Sequence, residues 1–108
     1  MSNDHALDRL FAIVAARKTA DPGTSYTAKL LKDGVECCAK KFGEEAVEVT
    51  IAAVSGKKDA TIAESADVLY HLLVLWAACG IEPEEVYAAL AAREGRSGLE
   101  EKASRKAP

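Results

Sequence analysis

Glu44-Glu45-Ala46-Val47-Glu48, the turn-like Ser55-Gly56-Lys57-Lys58-Asp59, and Glu64-Ser65-Ala66-Asp67-Val68-Leu69-Tyr70-His71 form the stretch on which the fold turns. Each flank reads as a helix, with apolar residues recurring at three and four. Gly56 sits between them, so the simplest reading is an antiparallel helical hairpin. A turn centred on Gly56 puts Glu48 opposite Glu64, Glu45 opposite Asp67 and Lys41 opposite His71. Residues three apart share a helix face, so Glu45 with Glu48 and Glu64 with Asp67 are two matched acidic pairs. Packed helices lie about 8–10 Å apart. The four carboxylates are therefore expected to converge on one small volume.

The second flank continues as Leu72-Leu73-Val74-Leu75-Trp76, and from Val68 onward it is apolar on almost every side. Such a helix must be buried on almost every side. A chain of 108 residues has few other helices to cover it, which predicts association through this helix, most simply as a two-fold homodimer. The nearly uncharged run Val68–Ile81 is 14 residues long, short of the roughly 20 that a bilayer span needs. No membrane role is expected.

Composition agrees with a soluble all-α domain. Hydrophobic residues make up 49% and charged residues 29%. Fourteen basic and 17 acidic side chains give a formal charge of −3 and a pI near 5.4, so no global basic field exists for nucleic acid. Met1-Ser2-Asn3-Asp4-His5 lacks the basic and apolar regions of a signal peptide. Cys37, Cys38 and Cys79 are odd in number, two of them adjacent, and suggest no disulfide framework. A cytoplasmic location is the expectation.

Strand signals are nearly absent, and the rest of the chain reads as more helix. A first helix is expected from Asn3 or Asp4, either of which serves as cap, to Lys18, with Leu7, Leu10, Phe11 and Val14 inward. Thr19–Ser25 is a loop, and Ser25 caps a short helix over Tyr26–Leu31. Lys32-Asp33-Gly34 marks a turn before a long helix from Val35 to about Val54, with a break or bend possible at Gly43. Asp59 is expected to cap a helix from Ala60 to about Cys79, closed by Gly80. Glu82-Pro83 starts a last helix with Val86, Tyr87, Leu90 and Ala91 inward. The architecture expected is one domain over 1–108, an antiparallel bundle of four to five helices, with a mobile tail over 95–108.

Four carboxylates in partly buried surroundings repel unless some are protonated or a cation sits between them. All-oxygen ligands favour Mg²⁺, with Mn²⁺ as substitute. Mg²⁺ keeps positions open for water and phosphate oxygens, which points to metal-assisted phosphoryl or nucleotidyl transfer. The bland alternative is a solvated acidic face with no metal. Lys40 with Glu44, and Lys41 with Glu45, are ordinary helical ion pairs or else phosphate contacts. His71 alone reads as a packed histidine before a catalyst.

Glu44-Glu45-x-x-Glu48, then 15 residues, then Glu64-x-x-Asp67, resembles the signature of the all-α, MazG-like nucleotide pyrophosphohydrolases. Ser25–Leu31, Cys38–Glu48, Ala66–Val74 and the tail Ser97–Lys106 look more narrowly like the phosphoribosyl-ATP pyrophosphatases. The first 20 or so residues match only in helical character. The resemblance implies Mg²⁺-dependent hydrolysis of phosphoribosyl-ATP to phosphoribosyl-AMP and pyrophosphate, the second step of histidine biosynthesis, in a cytoplasmic homodimer. By the same resemblance Glu45, Glu48, Glu64 and Asp67 are metal ligands. Glu44 supports them or helps activate water, so Glu44, Glu45 and Glu48 are the catalytic candidates. Lys40 and Lys41 neutralise the triphosphate. Tyr26, Lys29 and His71 complete the substrate contacts, and Lys102 and Arg105 close over the substrate from the tail. A house-cleaning nucleoside triphosphate pyrophosphohydrolase would use the same carboxylates. A helical dimerisation module with an inert acidic face is the reading without chemistry.

Overall fold

A computed structural model describes residues 5–94 and 98–105, and among them every regular element is helical. The elements are α1 (Ala6–Ala16), a 3₁₀ turn (Arg17–Thr19), α2 (Tyr26–Asp33), α3 (Val35–Val54), α4 (Lys58–Cys79), α5 (Pro83–Ala91) and α6 (Gly98–Ser104). The backbone of α3 and α4 is the predicted hairpin, and this pair forms the most extensive helix–helix interface. Helices α1 and α2 lie against it. The bundle architecture is thus as expected, with the tail helix α6 in addition.

The core gathers at one end of the hairpin. Phe11 and Val14 of α1, Leu30 of α2, Cys38 of α3, and Leu73, Val74 and Ala77 of α4 are buried together. These are the N-terminal half of α3 and the C-terminal half of α4, the halves remote from the Gly56 turn. The buried Cys38 thiol donates to the Leu30 carbonyl at 3.2 Å, which ties α3 to α2. Leu7 and Leu10 pack half-buried against the cluster.

Local chemistry explains the boundaries, including those that differ from expectation. The first helix begins at Ala6, and its cap is His5, whose Nδ1 accepts from the Leu7 N–H at 3.1 Å. The expected caps Asn3 and Asp4 lie outside the described residues. Ser25 caps α2 as predicted, its hydroxyl accepting from the Ala28 N–H at 3.1 Å. Helix α2 runs on through Lys32 and Asp33, and the break falls on Gly34 alone, whose φ of 98° favours glycine. Gly43 produces no break in α3, because packing of the flanking turns outweighs its weak propensity. Asp59 does not cap α4. The helix starts at Lys58, two residues before the expected Ala60, and Asp59 sits in its first turn where a carboxylate favours the dipole. Gly80 ends α4 in the left-handed region at φ 75°. Glu82 as N-cap and Glu85 in the first turn form a reciprocal capping box around Pro83. On α5 only Val86 and Tyr87 are half-buried, while Leu90 and Ala91 are exposed. The Tyr87 hydroxyl donates to Asp8 at 3.0 Å and ties α5 to α1.

Near the Gly56 turn the hairpin is less well covered. Val47, Ile51 and Val54 of α3, and Ile62 and Leu69 of α4, are exposed within the single chain. Helix α4 is long and apolar enough to cross a bilayer by length and composition, where the 14-residue count had placed it below that limit. Its contacts with α1, α2 and α3, and its buried His71, Leu73, Val74 and Ala77, make it the central helix of the bundle.

Candidate metal centre

The hairpin register carries the predicted acids together. Glu45 of α3 and Glu64 and Asp67 of α4 each offer a carboxylate oxygen, all within 4.8 Å of one another. Glu45 therefore lies against both acids of the second pair. Glu48 is exposed and outside this triplet, although its charge still acts on Glu64. Three of the four expected ligands thus converge and the fourth stands one turn nearer the hairpin bend.

The electrostatics reflect that crowding. Desolvation first, then the charges of Asp67, Glu45 and Glu48, hold the Glu64 carboxyl above its ordinary value. A hydrogen bond with Glu45 acts in the same direction, because it exists while Glu64 keeps its proton.

Cationic and aromatic groups border the acids. Lys41 pairs with Glu44 at 3.3 Å, and that bond together with the neighbouring Tyr26 and Glu45 raises its pKa. The expected Lys41–Glu45 and Lys40–Glu44 pairs are replaced by this one, which leaves Glu45 facing α4. Lys40 is exposed. Lys29 bridges Asp33 at 3.0 Å along α2. Tyr26, at the start of α2, is half-exposed and meets His71 edge to face, with centroids 6.2 Å apart. Tyr70 also meets this imidazole edge to face, with centroids 4.9 Å apart. The Tyr70 and Thr27 hydroxyls are hydrogen-bonded to each other, which fixes α2 over α4 beside the acids. That pair was not among the expected site residues, since a threonine and a tyrosine 43 positions apart give no sequence signal.

His71 is only 6% exposed, and its Nδ1 is buried with no hydrogen-bond partner. Leaving such an atom unpaired costs about 1–3 kcal/mol. Burial lowers the His71 pKa. Glu45 opposes that shift most, Lys41 adds to it, and Asp67 and Glu44 oppose it further. The tail residues Lys102 and Arg105 are exposed, Lys102 on α6 and Arg105 just beyond its end. A cavity of about 400 Å³ lies elsewhere, between the 3₁₀ turn, α2 and the end of α4, lined by Lys18, Pro22, Leu31, Lys32 and Ala77 among others. None of the four acids lines it. The acidic centre is a converging side-chain cluster on a helix face, and its chemistry rather than concavity marks it out.

Comparison with known proteins decides the family. The family model for phosphoribosyl-ATP pyrophosphohydrolase matches residues 7–94. That span holds all four acids. The chain belongs to the phosphoribosyl-ATP pyrophosphohydrolase family. A phosphoribosyl-ATP pyrophosphatase of Parvibaculum lavamentivorans is 65% identical over 92% of this chain and 91% of its own length. One of Granulibacter bethesdensis is 61% identical over 92% of this chain and 62% of its own, longer sequence. One of Paracoccus denitrificans is 58% identical over 98% of this chain and its full length.

Within this pyrophosphohydrolase frame, the donor set fits a hard divalent cation. Its ligands are all carboxylate oxygens, as such ions require. Desolvation first, and the like charges of Asp67, Glu45 and Glu48 after it, raise the Glu64 pKa, which is the electrostatic mark of crowded carboxylates. Glu45, Glu64 and Asp67 are the residues that could hold such a cation, and the Glu48 charge acts on the same cluster. Glu44, Lys41 and Tyr26 border the same face.

Proposed function

We propose that this chain hydrolyses phosphoribosyl-ATP to phosphoribosyl-AMP and pyrophosphate, in histidine biosynthesis, at the Glu45–Glu64–Asp67 cluster with Mg²⁺ bound. Mn²⁺ is the expected substitute. The convergence of those three carboxylates within 4.8 Å, in a chain of this family, carries the reading. Glu45, Glu48, Glu64 and Asp67 hold the cation, which supplies charge neutralisation at the phosphoanhydride oxygens and at the departing pyrophosphate.

The chain's own groups do the rest. Lys41 lies beside Tyr26 and shares Glu44, and Lys40 precedes it on the exposed side of α3. When triphosphate oxygens take Lys41, Glu44 is released from its ion pair and is free to accept a proton from the attacking water. The water oxygen bonds to phosphorus, the phosphoanhydride P–O bond breaks, and pyrophosphate leaves with the electron pair. Glu44, Glu45 and Glu48 are the catalytic carboxylates in this scheme. Tyr26, Lys29 and His71 are the substrate-side residues of α2 and α4. Lys102 and Arg105 are cations that reach the substrate from α6 and its end. Loss of residues after Gly98 without loss of activity would remove them from it.

The reading includes a homodimer and a cytoplasmic site of action. The exposed Val47, Ile51, Val54, Ile62 and Leu69 support the dimer, since the single chain leaves these large apolar side chains of α3 and α4 uncovered. Free cysteines support a reducing compartment. Ile51→Glu should shift the sedimenting species to monomer, and an unchanged species would contradict the interface. The function itself is tested by pyrophosphate release. Asp67→Asn should lower turnover by orders of magnitude at saturating Mg²⁺, and undiminished turnover would sink the proposal.

A further inference from the structure

We infer that the cavity between the 3₁₀ turn, α2 and the end of α4 is a second binding site, separate from the acidic cluster, for a small molecule that joins an apolar ring to a phosphate. The inference stands apart from the metal reading and needs no cation.

Size and lining carry it. The cavity measures about 400 Å³, within the roughly 300–1,000 Å³ of small-molecule sites. Pro22, Ala28, Leu31 and Ala77 supply apolar walls, and Ala28 and Ala77 are themselves buried. The charged side chains in the lining are Lys18 and Lys32, and no acid joins them. The acids next to these lysines in sequence are engaged elsewhere. Asp21 accepts the Gly23 N–H at 3.0 Å, and Asp33 pairs with Lys29 at 3.0 Å. Among the described residues neither Lys18 nor Lys32 has an ion-pair partner.

Two ammonium groups that line one cavity repel each other, and one doubly charged anion neutralises both. A phosphomonoester carries a charge of about −1.5 to −2 at pH 7, which matches the pair better than a single carboxylate does. The apolar walls add burial of a ring face, a gain proportional to the area removed from water. The two parts of the lining therefore select the two parts of one ligand.

The position separates this site from the acids. Asp67 and Ala77 are ten residues apart on α4, about 15 Å along its axis. Tyr26 meets His71 from the first turn of α2, whereas Lys32 lies in its last turn.

The test titrates adenosine monophosphate into the full chain in EDTA, which keeps divalent cations out of the acidic cluster. Binding is followed by the backbone amide shifts of an assigned ¹H–¹⁵N NMR spectrum. Saturable shifts at Ala28, Lys32 and Ala77 are expected, with a dissociation constant of about 1 mM or tighter. Adenosine alone and inorganic phosphate alone should each bind about tenfold more weakly or worse, since each keeps only half of the recognition. Lys18→Gln combined with Lys32→Gln should weaken adenosine monophosphate about tenfold while the rest of the spectrum stays as in the parent. Absence of shifts at the cavity amides, or shifts confined to the surroundings of Glu45 and Asp67, overturns the proposal. Adenosine or phosphate binding as tightly as the monophosphate overturns it too, and so does undiminished binding by the double variant. The comparison of the three ligands uses the parent alone and does not depend on how the variant folds.

Discussion

Glu45→Gln separates a metal centre from an inert acidic face, because the two readings predict opposite patterns of stability. Glu45 is the α3 member of the triplet, within 4.8 Å of both α4 acids. In EDTA its neutralisation removes a charge that raises the Glu64 pKa, so the variant should melt no lower than the parent. With a divalent cation the order should reverse. A ligand at a hundredfold its dissociation constant stabilises the folded chain by about 2.7 kcal/mol. For a chain of 108 residues, at about 4 °C per kcal/mol, that is a rise of roughly 11 °C. If the substitution weakens the cation about a hundredfold, the same concentration yields only about 0.4 kcal/mol, or roughly 2 °C. The assay is a thermal melt in EDTA and in Mn²⁺ at fixed protein concentration. Equal cation-induced rises in parent and variant, or a variant that melts well below the parent in EDTA, would refute this account of the cluster.

Two further outcomes follow from single groups. Because Glu64 holds its proton more tightly in the folded chain, its stabilising contribution is lost as pH rises from its ordinary value of 4.5 through the raised one. Glu64→Gln in EDTA should therefore exceed the parent in stability at about pH 7 and lose that advantage as pH falls to about 4; a pH-independent difference in denaturant midpoints would contradict it. Ser25→Ala removes the oxygen that accepts the Ala28 N–H, and should cost about 1 kcal/mol by chemical denaturation; an unchanged denaturant midpoint would contradict the cap's contribution.

The hairpin was readable because two independent patterns agree. The three-residue spacing of Glu45 with Glu48 and Glu64 with Asp67 fixes the helix faces, and Gly56 fixes the reversal. Ser25, Gly34, Gly80 and Pro83 announced helix ends for local reasons that no tertiary contact overturned. Where prediction slipped, the causes differ from element to element. Helix α2 continues through Lys32 and Asp33 because Gly34, not the polar residues before it, terminates the helix. Gly43 bends nothing, since neighbouring turns of α3 are packed on α4. Glu48 falls outside the triplet because a one-dimensional register cannot resolve how Glu45 sits between two acids of the opposing helix. The α2–α4 link through Thr27 and Tyr70, and the sealing of His71 Nδ1, depend on how helices cross, which periodicity does not encode.

The central claim is tested most directly by measuring pyrophosphate released from phosphoribosyl-ATP and, side by side, from a panel of ordinary nucleoside triphosphates, each with Mg²⁺ and with EDTA. Strong preference for phosphoribosyl-ATP that EDTA abolishes is the predicted result. Comparable or faster turnover of ordinary triphosphates, or turnover that survives EDTA, would contradict it.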